Sequence, residues 1–228
     1  MDLIGQAWNY GQSHSDEFWQ AAVQHLQLSF TSLAIAALVC IPLGILTSRF
    51  GIVARVIINI FGVARVIPSI AVLLVLLPVL GVGFTPGVVA LSFLAAPPIL
   101  INTDAGLRGV DPATLEAARG MGMSWFDSLR RVEIPLALPV MIGGLRTATV
   151  EVIASATLAA FIGAGGFGDF ILQGLAGSAN QVLLVGAIPV ALLAATAEVF
   201  LAFLQRQTSP KTGRPKRLNL AQAKTSAG

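Results

Sequence analysis

Five stretches of this chain, near residues 26–48, 56–80, 86–106, 136–160 and 181–204, are predominantly Leu, Val, Ile, Ala, Gly and Phe. A helix rises about 1.5 Å per residue, so roughly 20 apolar residues cross the hydrocarbon core of a bilayer. Inside that core a backbone must satisfy its own N–H and C=O groups, and runs of this length do so as helices. Composition points the same way. The chain is 55% hydrophobic and 11% charged, with a mean hydropathy of +0.82, whereas a soluble domain carries about 25% charged residues. The expectation is an all-α integral membrane protein of five spans. The second span contains Arg65 and Pro68, so it is either kinked or begins later than residue 56. The single cysteine, Cys40, rules out a disulfide within the chain and reads as a small buried apolar residue.

The basic residues set the orientation. Arg49 and Arg55 lie between spans 1 and 2, and Arg108, Arg119, Arg130 and Arg131 between spans 3 and 4. Arg206, Lys211, Arg214, Lys216, Arg217 and Lys224 follow span 5, while the N-terminal arm, the turn at 81–85 and the loop at 161–180 carry none. Positive charge is retained on the cytosolic side, so this alternation predicts an external N-terminus and a cytosolic C-terminus. Three regions follow: an external arm over 1–25, a membrane domain over 26–205 and a basic tail over 206–228. The arm lacks the basic start of a secretory signal peptide. Its Trp8 and Trp19 suit either a headgroup-level anchor or an ordered polar arm. The tail predicts a disordered cytosolic segment attracted to anionic lipid.

Residues 107–135 therefore face the cytosol, and their sequence is not that of a plain connector. Asp111-Pro112 reads as N-cap and first helical position. The helix is expected to run through Arg119 and to break at Gly120 and Gly122. Ser124-Trp-Phe-Asp127 matches a capping-box-like start for a second short helix, which Pro135 is expected to close. Met121, Met123, Trp125 and Phe126 form an apolar cluster in a polar setting, the pattern of a contact surface for a soluble partner.

At this point a resemblance becomes specific. Glu116-Ala117-Ala118, then Gly122, Val132 and Ile134-Pro135 fall at the spacing of the EAA loop of ABC-transporter inner-membrane permeases, with Val and Ile standing for the motif's Ile and Leu. The stretches RVIPSIAVLLVLLPVLGVGFTP, RGVDPATLEAARGMGMSW, RVEIPLALPVMIGGLRTATV and FIGAGGFGDFI resemble the osmoprotectant branch of that family, over roughly residues 25–205. The resemblance implies a type I importer permease with a coupling helix seated in a cytosolic ATPase. Glu116, Ala117, Ala118, Gly120, Gly122, Trp125 and Pro135 would be its coupling residues. It also implies a second permease subunit, identical or related, and an extracytoplasmic binding protein that docks near Gly163, Gly165, Gly166, Gly168 and Asp169. The solutes implied are glycine betaine, carnitine, choline and similar quaternary amines. No cofactor is expected in this chain and no nucleic-acid partner; ATP and Mg would be bound by the partner ATPase.

No G-x-x-x-x-G-K-[ST] occurs, and all three lysines lie in the tail, so the chain has no P-loop of its own. No constellation pairs a nucleophile with a base, so the chain is not read as an enzyme. His14 and His25 are expected to be surface or interface residues rather than metal ligands. Span 4 carries a stripe at four-residue spacing, Gly143, Thr147, Glu151, Ser155 and Ala159, on one helix face. That face reads either as a close-packing surface or as a lining of the translocation path. Arg65 is the expected partner of Glu151, and Glu198 is expected to snorkel or to pair with Arg206. Within the same class, a permease for methionine or another small solute is the alternative. From another class, an ion-coupled secondary transporter fits poorly, for no internal repeat is detectable.

Overall fold

The computed structural model describes residues 2–209, apart from the side chains of residues 52–55. The predicted basic tail beyond Ser209 and the Arg55 side chain lie outside the described residues.

Among the described residues every element is helical: α1 (Leu3–Ser13), α2 (Ser15–Thr47), α3 (Gly51–Ala64), α4 (Ser69–Leu80), α5 (Phe84–Arg108), α6 (Pro112–Gly120), α7 (Trp125–Ser128), α8 (Ile134–Ala156), α9 (Phe167–Ala176) and α10 (Asn180–Thr208). A π turn, Leu129–Glu133, joins α7 to α8, and a 3-10 turn, Leu158–Ile162, follows α8. Four helices are long and apolar enough to span: Ser15–Thr47, Phe84–Arg108, Trp125–Ala156 and Asn180–Thr208. The fifth span is broken. Val56–Ala64 and Ser69–Leu80 meet at 98°, because Pro68 has no N–H to donate and pushes Ile67 out of the helical conformation.

Helix α5 is the hub. In its most apolar window 67% is buried, against 28%, 33% and 22% for the other three long spans. Leu91 and Leu100 of α5, Leu28 and Ala36 of α2, Leu73 of α4 and Val152 of α8 form the main core, which also buries Cys40. Side chains in a membrane core gain little from leaving lipid, so close approach and buried hydrogen bonds hold the helices together. A Cβ on Gly44 of α2 would sit 2.6 Å from Thr103 Cβ, and one on Gly144 of α8 would sit 2.5 Å from the Pro98 carbonyl oxygen. The Ser32 hydroxyl donates to the Val88 carbonyl at 3.3 Å and Ser92 to the Ser32 carbonyl at 3.2 Å, which stitches α2 to α5. A second core joins α1, α2, α9 and α10 through Ala7, Ala21, Phe167, Phe170, Val185 and Val190.

Several boundaries differ from the expectation. The first spanning helix starts at Ser15 rather than near residue 26. Asp16 and Glu17 in its first turn complement the helix dipole, and Ala21 carries it into the second core. The remainder of the expected arm is itself helix α1, capped by the Asp2 carboxylate, which accepts the Gly5 N–H at 3.1 Å. Trp8 and Trp19 are both exposed. Pro135 does not end the short helix before span 4, because α7, the π turn and α8 run on as one helix. Ile134 donates its N–H to Leu129 O, five residues back, and this widened turn accommodates a proline that has no N–H to give.

Candidate functional site

The segment between the third and fourth spans forms two capped helical pieces. Asp111 Oδ1 accepts the Ala113 N–H at 2.9 Å, with Pro112 beside it at the start of α6. At the other end Met123 N–H reaches Ala118 O at 3.2 Å and Gly122 N–H reaches Arg119 O at 2.9 Å, the two bonds of a Schellman cap. Gly122 alone carries the left-handed φ of +80°; Gly120, expected to share the break, is the last residue of α6. The next helix starts where the Ser124 hydroxyl accepts the Asp127 N–H at 3.2 Å.

The motif residues divide by role in packing. Ala118 is buried and roots α6, whereas Glu116 and Ala117 are exposed. Met121, Trp125 and Phe126 are exposed at 74%, 58% and 61%, three large apolar side chains displayed in a polar segment. Nothing lies within 4 Å of a Cβ on Gly122, so its φ is the sole obstacle to a side chain. Gly122→Ala is expected to cost about 1 kcal/mol of local order, read as faster hydrogen exchange over residues 112–123 with little change elsewhere.

Beneath the patch lies a charge network. Glu133, 3% exposed, receives Arg49 Nη2 at 2.5 Å and the Ser128 hydroxyl at 3.3 Å. The Arg49 guanidinium stands 5.5 Å from the centre of the Trp125 ring, within cation–π range. Alongside, Arg108 Nε donates to buried Asp104 at 2.9 Å, and its Nη2 donates to the Thr47 carbonyl at 2.6 Å. Arg49–Glu133 thereby ties the end of α2 to the segment between spans 3 and 4, and Arg108 ties the end of α5 to that of α2. The Arg131–Asp127 pair at 3.6 Å is exposed and contributes little. Arg49, Asp104, Arg108 and Glu133 were not recognisable as a group from the sequence. The available signal was an acidic residue, Glu133, set between Val132 and Ile134 at the mouth of a span.

The span 4 stripe also divides. Ala159 is fully buried in the main core, and a Cβ on Gly143 would lie 3.0 Å from Gln205 Nε2 of α10. The glycine that admits α5 is Gly144, one position off the stripe. Thr147 is exposed and bonds its own helix at Gly143 O. Ser155 is buried and its hydroxyl donates to Ser69 Oγ at 3.1 Å, at the broken second span. Glu151 is half-buried on the same face, and Arg65 is exposed at the elbow. The expected ion pair between them does not form: Arg65 acts on Glu151 through its field, but no bridge within 4.0 Å joins them. Glu198 pairs not with Arg206 but with Arg146 at 3.0 Å, and Arg146 Nη1 also donates to Gln205 Oε1 at 3.0 Å. Glu198 and Arg206 stand about 12 Å apart along α10, whereas Arg146 reaches Glu198 from the facing helix α8.

At the opposite end, Gly163, Gly165 and Gly166 adopt φ of +70°, +79° and +88°. Gly166 donates its N–H to Gln24 Oε1 at 3.1 Å and packs on His25. Gly168 has no left-handed φ; it lets α9 approach the Thr157 carbonyl. His25, expected at a surface or interface, is wholly buried, its Nε2–H donating to Ile153 O at 3.2 Å and its ring packed on Phe167. The expectation failed because α2 begins early and carries His25 under the glycine loop. Two adjoining cavities of about 270 and 440 Å³ open here, both lined by Gln24 and Asp169. Desolvation by the surrounding protein raises the Asp169 carboxyl above its ordinary pKa.

Residues 40–213 match the family described as binding-protein-dependent transport system inner membrane component. The chain is 38% identical over 208 residues, 91% of its length and 96% of the relative's, to the glycine betaine/carnitine/choline transport system permease protein OpuCB of Bacillus subtilis (strain 168). It is 43% identical to the carnitine transport permease protein OpuCB of Listeria monocytogenes, covering 85% of this chain and 89% of that one. A solved structure of the MetNI methionine ABC transporter in an inward-facing conformation shares the fold. Its TM-score is 0.78 at 21% identity, over 86% of this chain and 98% of that one.

Proposed function

The chain belongs to the binding-protein-dependent transport system inner membrane components, and from that premise we propose that it is the permease subunit of an ATP-driven importer for osmoprotectants such as glycine betaine, carnitine or choline. The substrate class rests on its relatives, permeases for these quaternary amines at 38% and 43% identity over most of their length. The observation that carries the coupling role is the exposed set of Met121, Trp125 and Phe126, rooted on the end of α2 through Arg49–Glu133, with α5 joined to α2 by Arg108 on the Thr47 carbonyl.

In this reading the patch seats in a cleft of a cytosolic ATPase, which binds the ATP and Mg. Closure of the ATPase dimer moves α6 and α7. The charge network passes that motion to the ends of α2 and α5, and the membrane cavity opens to alternate sides. A second permease subunit completes the path, to which Arg65, Thr147, Glu151 and Ser155 contribute. The end bearing Gly163–Asp169 faces outward and receives the loaded binding protein, with the N-terminus outside and the C-terminus in the cytosol. The retention of basic residues at the 107–135 end supports that orientation.

Reconstitution with the cognate ATPase and binding protein tests the reading. Glycine betaine, choline or carnitine is expected to stimulate ATP hydrolysis, and methionine is not. Stimulation by methionine alone would transfer the chain to the amino-acid branch.

A further inference from the structure

The broken second span brings two opposite charges to one place without joining them. The Ser155–Ser69 hydrogen bond, 3.1 Å long, fixes α8 against the first turn of α4. Glu151 lies one turn before Ser155 on the same face of α8. Arg65 lies four residues before Ser69, across the 98° bend. The 12 residues of α4, at about 1.5 Å each, put the elbow about 18 Å from the turn at its far end. α3 and α4 are long and apolar enough to span only as a pair, so the elbow between them lies inside the apolar run rather than at its end.

Unpaired charges at such depth are costly, and a direct bridge is the cheapest remedy. None forms here, although each is near enough to feel the other. The nearby Arg146 offers Glu151 no substitute, since it is engaged by Glu198 and Gln205. A solute carrying both a cation and a carboxylate would complete the arrangement.

We propose that Arg65 and Glu151 form a site within the membrane for zwitterionic solutes. The Glu151 carboxylate faces the quaternary ammonium, which has no N–H to donate and is held by charge alone. The Arg65 guanidinium takes the solute carboxylate through its planar fork of donors. The exposed Thr147 lies one turn before Glu151 on the same face, and the Ser155–Ser69 bond lies one turn after it. The site deepens the osmoprotectant reading and rests on it: glycine betaine and carnitine are zwitterions, whereas choline is a cation without a carboxylate.

The test compares uptake of glycine betaine and choline by the full complex reconstituted in liposomes with its ATPase and binding proteins. Arg65→Gln is expected to lower glycine betaine uptake tenfold or more, the scale of one lost charged hydrogen bond, and to change choline uptake less than about threefold. Arg65→Lys keeps the charge without the fork and is expected to fall between wild type and Arg65→Gln for glycine betaine. Glu151→Gln is expected to lower both solutes. Continued co-purification of each variant with the ATPase establishes that it has folded. Equal loss of both solutes in Arg65→Gln overturns the site alone. A wild-type complex that carries neither solute overturns the osmoprotectant reading together with the site.

Discussion

Glu133→Ala is expected to free the segment between spans 3 and 4 from the end of α2 and, on the proposed coupling role, to abolish most solute-stimulated ATP hydrolysis. The carboxylate is almost fully enclosed, at 4% side-chain exposure, and Arg49 opposite it is 24% exposed. Removing one partner of a buried pair leaves the other charge desolvated without compensation, at a cost of about 3–5 kcal/mol. Arg49 also loses the contact that holds it over Trp125, so the damage reaches the exposed patch. The loss is to be read twice, as a lowered melting temperature of the detergent-solubilised permease and as reduced co-purification with the ATPase. Glu133→Gln keeps an acceptor for Arg49 and for the Ser128 hydroxyl, and is expected to lose roughly half as much. A Glu133→Ala variant that melts and couples like wild type would remove the network from the mechanism.

The second large effect is expected at the opposite end. Gly168→Ala places a methyl carbon 2.2 Å from the Thr157 carbonyl oxygen and 2.7 Å from Ala160 Cβ. Neither neighbour is a flexible side chain, so α9 must shift away from α8, at a cost of about 3 kcal/mol or more. Because α9 shares the second core with α10 through Phe167 and Val185, the shift opens the glycine-loop end as a whole. Gly163→Ala supplies the control. Its Cβ meets nothing within 4 Å and only its φ of +70° opposes a side chain, so about 1 kcal/mol is expected. Thermal melts of the two variants are expected to differ by several degrees, with Gly168→Ala the lower. Equal melts would place the glycine requirement in backbone conformation rather than in packing.

Much of this molecule was readable before any coordinates. Four of the five apolar runs form long spanning helices and the fifth a pair bent by 98°, since a backbone in hydrocarbon has one way to satisfy itself over 20 residues. Asp111-Pro112, Gly122 and Ser124 are local signals with local consequences, and each acts as its chemistry requires. The errors share another origin. Pro135 looked like a stop because a proline disrupts an ordinary helical turn, and a π turn absorbed it. Glu198 is expected from its own helix to snorkel or to pair with Arg206, whereas its partner Arg146 comes from the facing helix.

Local order, span count and the display of an apolar patch between spans 3 and 4 thus follow from residue type and spacing alone, because those interactions act within a few residues of one another. Pairings that join distant segments do not. Arg49 with Glu133, Ser155 with Ser69 and His25 beneath Gly166 bring together residues 84, 86 and about 140 positions apart. Which charges meet, and which are held near but apart as Arg65 and Glu151 are, depends on how helices cross. The crossing is decided by where a glycine lets two backbones touch and where a proline breaks a span, so only the tertiary structure could decide it.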